Sequence, residues 1–270
     1  MKLTEFDYEL PPERIAQRPP EERDASRLLW LHRQSGEVED RQFRELPELL
    51  VPGDLLVAND SRVFPARLLG QRVGGGQGKV EVLLLREVEL GVWDVLARPG
   101  RKLPLGELVI FEGGLRAEVV GMGSRGERQF RFEVQGEFAA AVERHGHVPL
   151  PPYIRREDQV EDRARYQTVY AKAVGSAAAP TAGLHFSERV LEKLAERGIE
   201  WATVSLHVGL GTFQAVESEE IEDHPMHSEA YTLGPEAAVS ILQARSEGRR
   251  VIAVGTTAAR VLETAAPQFV

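Results

Sequence analysis

The most informative absence in this sequence is cysteine, of which there is none. A chain without cysteine has no disulfide bond, no thiolate nucleophile and no cysteine-ligated zinc or iron–sulfur site. No apolar run approaches the ~20 residues that a membrane-spanning helix needs. Residues 1–14 also lack the apolar core of a signal peptide. We therefore expect a cytoplasmic protein that neither enters a membrane nor is secreted.

An excess of positive charge is also missing, since the formal net charge is −9. Phosphate neutralisation drives generic nucleic-acid binding, so this balance argues against a protein that coats DNA or RNA. It leaves room for a local basic surface that recognises one folded RNA. The 270 residues, of which 42% are hydrophobic, suffice for one large or two modest domains.

Two kinds of pattern divide the chain. Residues 66–147 hold short β-rich segments separated by glycine turns, which predicts a small antiparallel β-barrel. In residues 1–65 and 148–270 strands and helices alternate, which predicts a layered α/β domain with parallel strands. The barrel would then be inserted into a discontinuous α/β domain. The predicted elements after residue 180 are a helix capped by Ser187 and ended by Gly198, a strand Ile199–Val208, a helix from Pro235 to near Gly248, a strand Val251–Val254 and a helix Thr256–Ala266.

Four of the seven histidines lie between Tyr166 and Glu229, in short runs of Gly, Pro, Thr and Ser. Loops of that composition carry chemistry more often than packing. A histidine there can act as an acid, a base or a ligand near neutral pH. We expect the functional site among these turns, which contain His185, His207, His224 and His227.

The segment Pro180–Phe186 ends where a helix is predicted to start. Free N–H groups and the helix dipole at such an end favour an anion. We expect a carboxylate or phosphate beside Thr181, Ala182 and Gly183, with His185 placed over it. The alternative is a capped loop with a surface histidine.

The segment from His207 to Thr212 directly follows a predicted strand. Ligands of α/β sheets gather at the carboxyl ends of strands. Gly209 and Gly211 would let a ligand approach the backbone closely, with Thr212 beside it. The alternative is a tight turn without a ligand.

His224, His227 and Glu229 have the spacing of metal ligands, and zinc accepts such a set. Pro225 argues against the regular helix that would aim the two histidines together. A nucleic-acid contact or an acid–base pair is therefore an equal alternative.

The residues after the predicted strand at 54–58 combine a carboxylate, a hydroxyl and a guanidinium group. Asp60, Ser61 and Arg62 would suit a sugar diol and an anionic group. The alternative is an Asx-turn with a salt bridge.

Long motifs run through almost the whole chain. They include GDLLVANDSRVFPARLLG, RYQTVYA, APTAGLHF, SLHVGLGTFQ, HPMHSE and VIAVGTTAARVLE. Together they resemble one family, the S-adenosylmethionine:tRNA ribosyltransferase-isomerases of queuosine biosynthesis. The resemblance implies an α/β domain that carries an inserted small β-barrel, in agreement with the patterns above.

The resemblance implies a reaction in which S-adenosylmethionine donates its ribosyl moiety instead of its methyl group. The acceptor is 7-aminomethyl-7-deazaguanine (preQ1) at the wobble position of the tRNA anticodon loop. The product is epoxyqueuosine, and adenine and methionine leave. S-adenosylmethionine is thus a co-substrate, no metal or other cofactor is implied, and we expect a monomer.

Such a reaction needs acid–base groups that titrate near neutral pH. The sulfonium acidifies the adjacent C–H, adenine needs a proton as it leaves, and the attacking amine must be neutral. We expect His185 and His207 to supply acid–base catalysis. Asp60 would hold the ribosyl hydroxyls or act as a second base, and the Thr181–Gly183 turn would hold the methionine carboxylate. Contacts to the modified base or the anticodon backbone are expected from His224, His227 and Glu229.

Two other functions compete with this hypothesis. One is a metal-dependent hydrolase built on His224, His227 and Glu229, and the other is a non-catalytic tRNA-binding protein whose barrel recognises the RNA. Family members usually continue for several elements beyond GTTAARVLE. We therefore expect this chain to lack the usual C-terminal end of the α/β domain.

Overall fold

The computed structural model describes residues 1–74, 78–133, 138–209 and 216–269. The first part of the chain forms an antiparallel hairpin, a one-turn helix and two strands that enter the body of the protein. These elements are β1 (Arg27–Leu31), β2 (Val38–Gln42), α1 (Leu46–Leu49), β3 (Leu55–Asn59) and β4 (Ser61–Val63).

The next strands close into an antiparallel barrel with the order β10-β7-β6-β5-β8-β9. They are β5 (Arg67–Arg72), β6 (Lys79–Glu89), β7 (Val92–Arg98), β8 (Leu108–Phe111), β9 (Arg116–Met122) and β10 (Glu127–Glu133). Side chains alternate along β6, so that Val80, Val82 and Leu84 are buried in the barrel core. The predicted antiparallel barrel is confirmed. Its status as a separate domain over 66–147 stays a prediction.

Helices and strands then alternate to the end of the described chain. They are α2 (Phe138–His145), α3 (Asp162–Arg165), β11 (Ala173–Ser176), α4 (Glu188–Glu196), β12 (Glu200–Leu206), β13 (Tyr231–Thr232), α5 (Pro235–Ser246), β14 (Val251–Val254) and α6 (Gly255–Ala265). No helix within the described residues is both long and apolar enough to cross a membrane.

The main sheet has the strand order β13-β12-β3-β14. The strands β12, β3 and β14 are parallel, and β13 adds an antiparallel edge strand that the sequence pattern did not predict. The central strand β3 is fully buried because both faces of the sheet are covered. Leu55 and Val57 pack with α5 and α6, whereas Leu56 and Ala58 pack with α4. The predicted layered α/β architecture is therefore confirmed.

The ends of α4 and β12 have identifiable causes. Ser187 Oγ accepts the N–H of Val190 at 3.2 Å, and Gly198 follows the helix with φ of 70°, as the sequence predicts. Strand β12 ends at Leu206, two residues earlier than predicted. There the side-chain amide of Asn59 forms the hydrogen bonds in place of a strand partner. It accepts the N–H of Leu206 at 3.0 Å and donates to the carbonyl oxygen of Leu206 at 3.1 Å.

Candidate active site

Three parallel strands end at one edge of the main sheet. The residues that follow them are Asp60 after β3, His207 after β12 and Gly255 after β14. The carboxyl edge of a parallel sheet is the usual place for a ligand. The sequence predicts that Asp60 and His207 each follow a strand, and the pairing of β3 with β12 shows that these two strands are neighbours.

Asp60 is held firmly at this edge. Its side chain accepts a 2.6 Å hydrogen bond from Ser205 Oγ, and its backbone carbonyl accepts the N–H groups of Lys172 and Ala173. It is only 8% exposed. Burial and the negative charge of Asp60 raise the pKa of the nearby Tyr170, so that phenol stays protonated.

The predicted partners of Asp60 face different surroundings. Ser61 is fully buried in β4, and its Oγ has no hydrogen-bond partner among the described residues. Arg62 is exposed on the opposite side of the same strand. Asp60, Ser61 and Arg62 therefore do not converge on one ligand.

A cleft of about 1110 Å³ separates the barrel from the carboxyl edge of the sheet. We call it the barrel cleft; its sheet wall includes His207, Gly209 and Glu229, and its barrel wall includes Trp93, Met122 and Gln129. The Nδ1 atom of His207 is buried and has no hydrogen-bond partner among the described residues. A buried imidazole nitrogen without a partner is uncommon and indicates a place for a ligand or water.

Arg260, which lies in α6, is bonded to the segment before β13. It donates to the carboxylate of Glu229 and to the carbonyl oxygen of His227. Glu229 also accepts the N–H of Gly209 at 2.9 Å. These bonds bring Gly209 together with His227 and Glu229 on the barrel cleft. The sequence predicts a shared site only for His227 and Glu229.

His224 is separated from this group. It follows the short 3-10 helix Ile221–Asp223 and does not line the barrel cleft. Glu229 is already engaged by Arg260 and Gly209. Among the described residues no three His, Asp or Glu side chains are placed to share a metal ion. The spacing that suggested a zinc site does not become a ligand set, because Pro225 and the extended backbone of His224 spread the residues along a loop.

The Thr181–Gly183 turn differs from its prediction. Residues Thr181–His185 form a 3-10 helix of their own, and Gly183 donates its N–H to Pro180. The N-terminus of α4 lies further on and already has an anion, because Asp24 accepts Ser187 Oγ at 2.6 Å and Arg189 at 2.9 Å. The prediction placed Thr181 beside the free N–H groups of a helix start. In the structure α4 starts later, at Glu188, and its N-terminus is already capped by Ser187 and paired with Asp24.

His185 lines a second cavity, of about 340 Å³. We call it the arginine cavity; its lining includes Arg18, Arg23, Arg156, Arg165, Tyr153 and His185. Burial lowers the pKa of His185, and the charge of Arg23 lowers it further, so the imidazole is neutral at pH 7. Ser26 Oγ donates to the carbonyl of Arg23 at 3.3 Å, so it accepts from His185 Nδ1, 3.1 Å away. This tautomer leaves Nε2 as a proton acceptor.

A third cavity, of about 370 Å³, lies between the other two along the sheet edge. This middle cavity includes Tyr166, Ala182, Val208, Thr256 and Thr257, and it shares Tyr153 and Thr181 with the arginine cavity. Val208 faces it, whereas His207 and Gly209 face the barrel cleft. The two histidines expected to act together, His185 and His207, thus line different cavities.

Three residues that contact the predicted site residues carried no role in the sequence prediction. Gly175, Ser205 and Arg260 contact His207, Asp60 and Glu229 respectively. The sequence gives little indication of their roles, because each lies inside a strand or helix and not in one of the loops where a site was expected. The predicted ligand contacts of Gly211 and Thr212 lie outside the described residues.

Comparison with known proteins decides the family. The model of a family described as queuosine biosynthesis protein matches residues 3–269. The chain belongs to the queuosine biosynthesis protein family. The resemblance drawn from the motifs is thereby confirmed.

Relatives within this family are similar over nearly the whole chain. An S-adenosylmethionine:tRNA ribosyltransferase-isomerase of Moorella thermoacetica is 54% identical over 268 residues, which cover 98% of this chain and 78% of the relative. The protein of the same description from Desulfitobacterium hafniense is 53% identical over 267 residues, covering 98% and 77%. A crystal structure of S-adenosylmethionine tRNA ribosyltransferase from Thermotoga maritima is 37% identical, covers 97% of this chain and 73% of that one, and has a TM-score of 0.46.

Proposed function

We propose that the barrel cleft beside His207 is the active site of this chain, which is an S-adenosylmethionine:tRNA ribosyltransferase-isomerase of queuosine biosynthesis. In this proposal the ribosyl moiety of S-adenosylmethionine passes to preQ1 at the wobble position of the tRNA anticodon loop. Adenine and methionine leave, no metal or other cofactor takes part, and the enzyme acts as a cytoplasmic monomer.

The observation that carries the proposal is the buried Nδ1 of His207, which has no hydrogen-bond partner in the described part of the chain and lies just after the carboxyl end of a parallel strand. An imidazole placed there can take the proton of the C–H next to the sulfonium or give one to departing adenine. Asp60 is a positioning residue in this scheme, because its carboxylate accepts a hydrogen bond from Ser205, which lies near the end of β12, two residues before His207.

The charges that line the barrel cleft fit the donor. S-adenosylmethionine has a sulfonium, an ammonium and one carboxylate, so its net charge is positive. Carboxylates outnumber guanidinium groups on the cleft, where the acidic side chains are Glu87, Asp94, Glu127 and Glu229 and the basic ones are Arg86 and Arg128. Opposite charge favours binding of a cation.

The test is adenine release from S-adenosylmethionine in the presence of an anticodon stem-loop that contains preQ1. We expect release that depends on the modified base. His207→Gln should reduce kcat by roughly 100- to 10,000-fold, the usual contribution of a general acid or base. His32→Gln is the matched control, since His32 lies on the hairpin bonded to Glu39 and lines none of the three cavities. Full turnover by the His207 variant would refute the site, and no release by the unchanged protein would refute the function.

A further inference from the structure

The arginine cavity concentrates positive charge on a protein whose net charge is −9. Of its charged lining, only Arg156 has a carboxylate partner, because Asp162 accepts both of its terminal nitrogens at 2.6 and 2.8 Å. Arg18, Arg23 and Arg165 form no ion pair with any described residue. The cavity therefore presents three guanidinium groups without an ion-pair partner among the described residues, although the charge of Arg18 acts on the Asp162 carboxylate from beyond ion-pair distance.

Two of these guanidinium groups are fixed by backbone carbonyls. Arg23 donates to the carbonyl oxygens of Ala164 at 2.7 Å and Leu184 at 3.2 Å. Arg165 donates to those of Pro20 at 2.6 Å and Glu21 at 3.0 Å. Carbonyl oxygens orient a guanidinium group without cancelling its charge. Burial and the positive charge of Arg165 both lower the pKa of Arg23, because both disfavour its charged form. A bound anion would offset this electrostatic penalty.

Part of the cavity wall is apolar and aromatic. Tyr153 is 49% exposed there, beside Pro19 and Ile154. Gln17 joins this wall to the N-terminal segment, because it donates to the carbonyl of Tyr153 at 3.1 Å and accepts the N–H of Arg155 at 2.7 Å. An exposed aromatic ring and guanidinium groups that line one cavity are the combination that holds a single-stranded nucleotide, through base stacking and phosphate contact.

We propose that the arginine cavity binds one nucleotide of the RNA substrate outside the barrel cleft, with its phosphate on Arg18, Arg23 and Arg165 and its base on Tyr153. The inference rests on the proposed function, which supplies the RNA. The other anion available is the carboxylate of S-adenosylmethionine. That donor is a net cation, and three unpaired arginines repel it, so the RNA phosphate is the better occupant.

The first test uses Arg18, which is exposed and whose one hydrogen-bond partner among the described residues is Gln159 Oε1, at 2.9 Å. Arg18→Gln should weaken binding of an anticodon stem-loop roughly three- to tenfold. The slope of the logarithm of the binding constant against the logarithm of the salt concentration should also become shallower by about one, the value for one lost phosphate contact. The KM for S-adenosylmethionine should not change. Arg33→Gln is the matched control, because Arg33 is an exposed arginine in the turn between β1 and β2 and lines none of the three cavities.

The second test separates stacking from charge. Tyr153→Leu should weaken stem-loop binding at least about fivefold, whereas Tyr153→Phe, which keeps the ring, should bind like the unchanged protein. Binding is measured by fluorescence anisotropy with a stem-loop that lacks preQ1 and without S-adenosylmethionine. Failure of the turnover assay therefore leaves this result intact.

Two outcomes would overturn the inference. If Arg18→Gln raises the KM for S-adenosylmethionine and leaves RNA affinity unchanged, the cavity holds the donor carboxylate. If the Arg18 and Tyr153→Leu variants bind RNA as the Arg33 control does, the cavity does not contact RNA.

Discussion

The imidazole of His207 lies against the backbone of Gly175. A Cβ atom on Gly175 would come within 3.1 Å of Nδ1 and 3.2 Å of Cε1 of that ring. Gly175 has φ of 136°, a conformation that side-chain-bearing residues rarely adopt. Because Gly175 belongs to β11, which pairs with β4, the contact fixes His207 relative to the strands that lead into the barrel.

Gly175→Ala tests this positioning. The added methyl group requires the ring to move by a few tenths of an ångström, and even a misplacement of about 1 Å costs about 100-fold in rate. We expect kcat for adenine release to fall by at least about tenfold while the KM for S-adenosylmethionine changes little.

The control for this variant is Gly36→Ala, whose φ is 73° and whose Cβ would meet nothing within 4 Å. It introduces backbone strain without touching an active-site residue, and it should keep normal turnover. An equal loss of kcat in both variants would mean that strain, and not His207, explains the effect.

The architecture was largely predictable from sequence, because hydrophobic patterns report burial directly. The buried strand Val251–Val254 has its predicted bounds, and α4 has its predicted cap and end. The strand β13 was missed because its two residues, Tyr231 and Thr232, are too few to show any periodicity. The first barrel strand, Arg67–Arg72, was missed because its buried and exposed residues alternate poorly.

The arrangement of the site was predictable only in part. The sheet topology brings Asp60 and His207 to one edge, and a sequence with alternating strands and helices implies that edge. The assignment of His185 to another cavity depends on contacts across about half of the chain, such as Arg23 with the carbonyl of Arg165. A pattern of neighbouring residues in the sequence cannot predict a contact between residues so far apart in the chain.

We predict that adenine release is insensitive to a metal chelator. The carboxylate of Glu229 is paired with Arg260 and with the N–H of Gly209, so it is not free to join His224 and His227 around an ion. Turnover is measured after dialysis against EDTA and after addition of zinc. Loss of activity with EDTA that zinc restores would revive the metal-dependent hydrolase hypothesis.

Arg250 should contribute to stability through Asp54, whose side chain is 1% exposed. Burial alone would raise the pKa of Asp54, but hydrogen bonds from Arg250 and from the N–H of Val51 outweigh it and lower the pKa. Arg250→Gln leaves a buried carboxylate without its cation. Because Arg250 itself is half exposed, we expect a loss of about 2 kcal/mol in the free energy of unfolding, below the full value for a buried pair.

A double-mutant cycle checks this origin. Asp54→Asn combined with Arg250→Gln removes the uncompensated charge, so the double variant should be more stable than the sum of the two single losses implies. Urea denaturation at pH 7 provides the measurement. Strict additivity would show that the two side chains do not interact energetically.

Two histidines should give opposite pH dependences of stability. Burial lowers the pKa of His147, but Glu112 and Asp158, 3.0 and 2.9 Å from its ring nitrogens, raise it more, to above the ordinary value of 6.5. The stability that His147 contributes is therefore fully present below pH 6.5 and is lost as the pH rises through its raised value. His185 has a lowered pKa, so the folded protein loses stability as the pH falls below 6.5.

The variants His147→Asn and His185→Asn separate these effects when urea midpoints are measured at pH 5, 7 and 9. Relative to the unchanged protein, His147→Asn should be destabilised most at pH 5 and least at pH 9. His185→Asn should show the reverse trend, with its smallest deficit or a gain at pH 5, because the penalty of protonating the buried ring is gone. Parallel profiles for both variants would contradict the assigned protonation states, since the two imidazoles would then titrate alike in the folded protein.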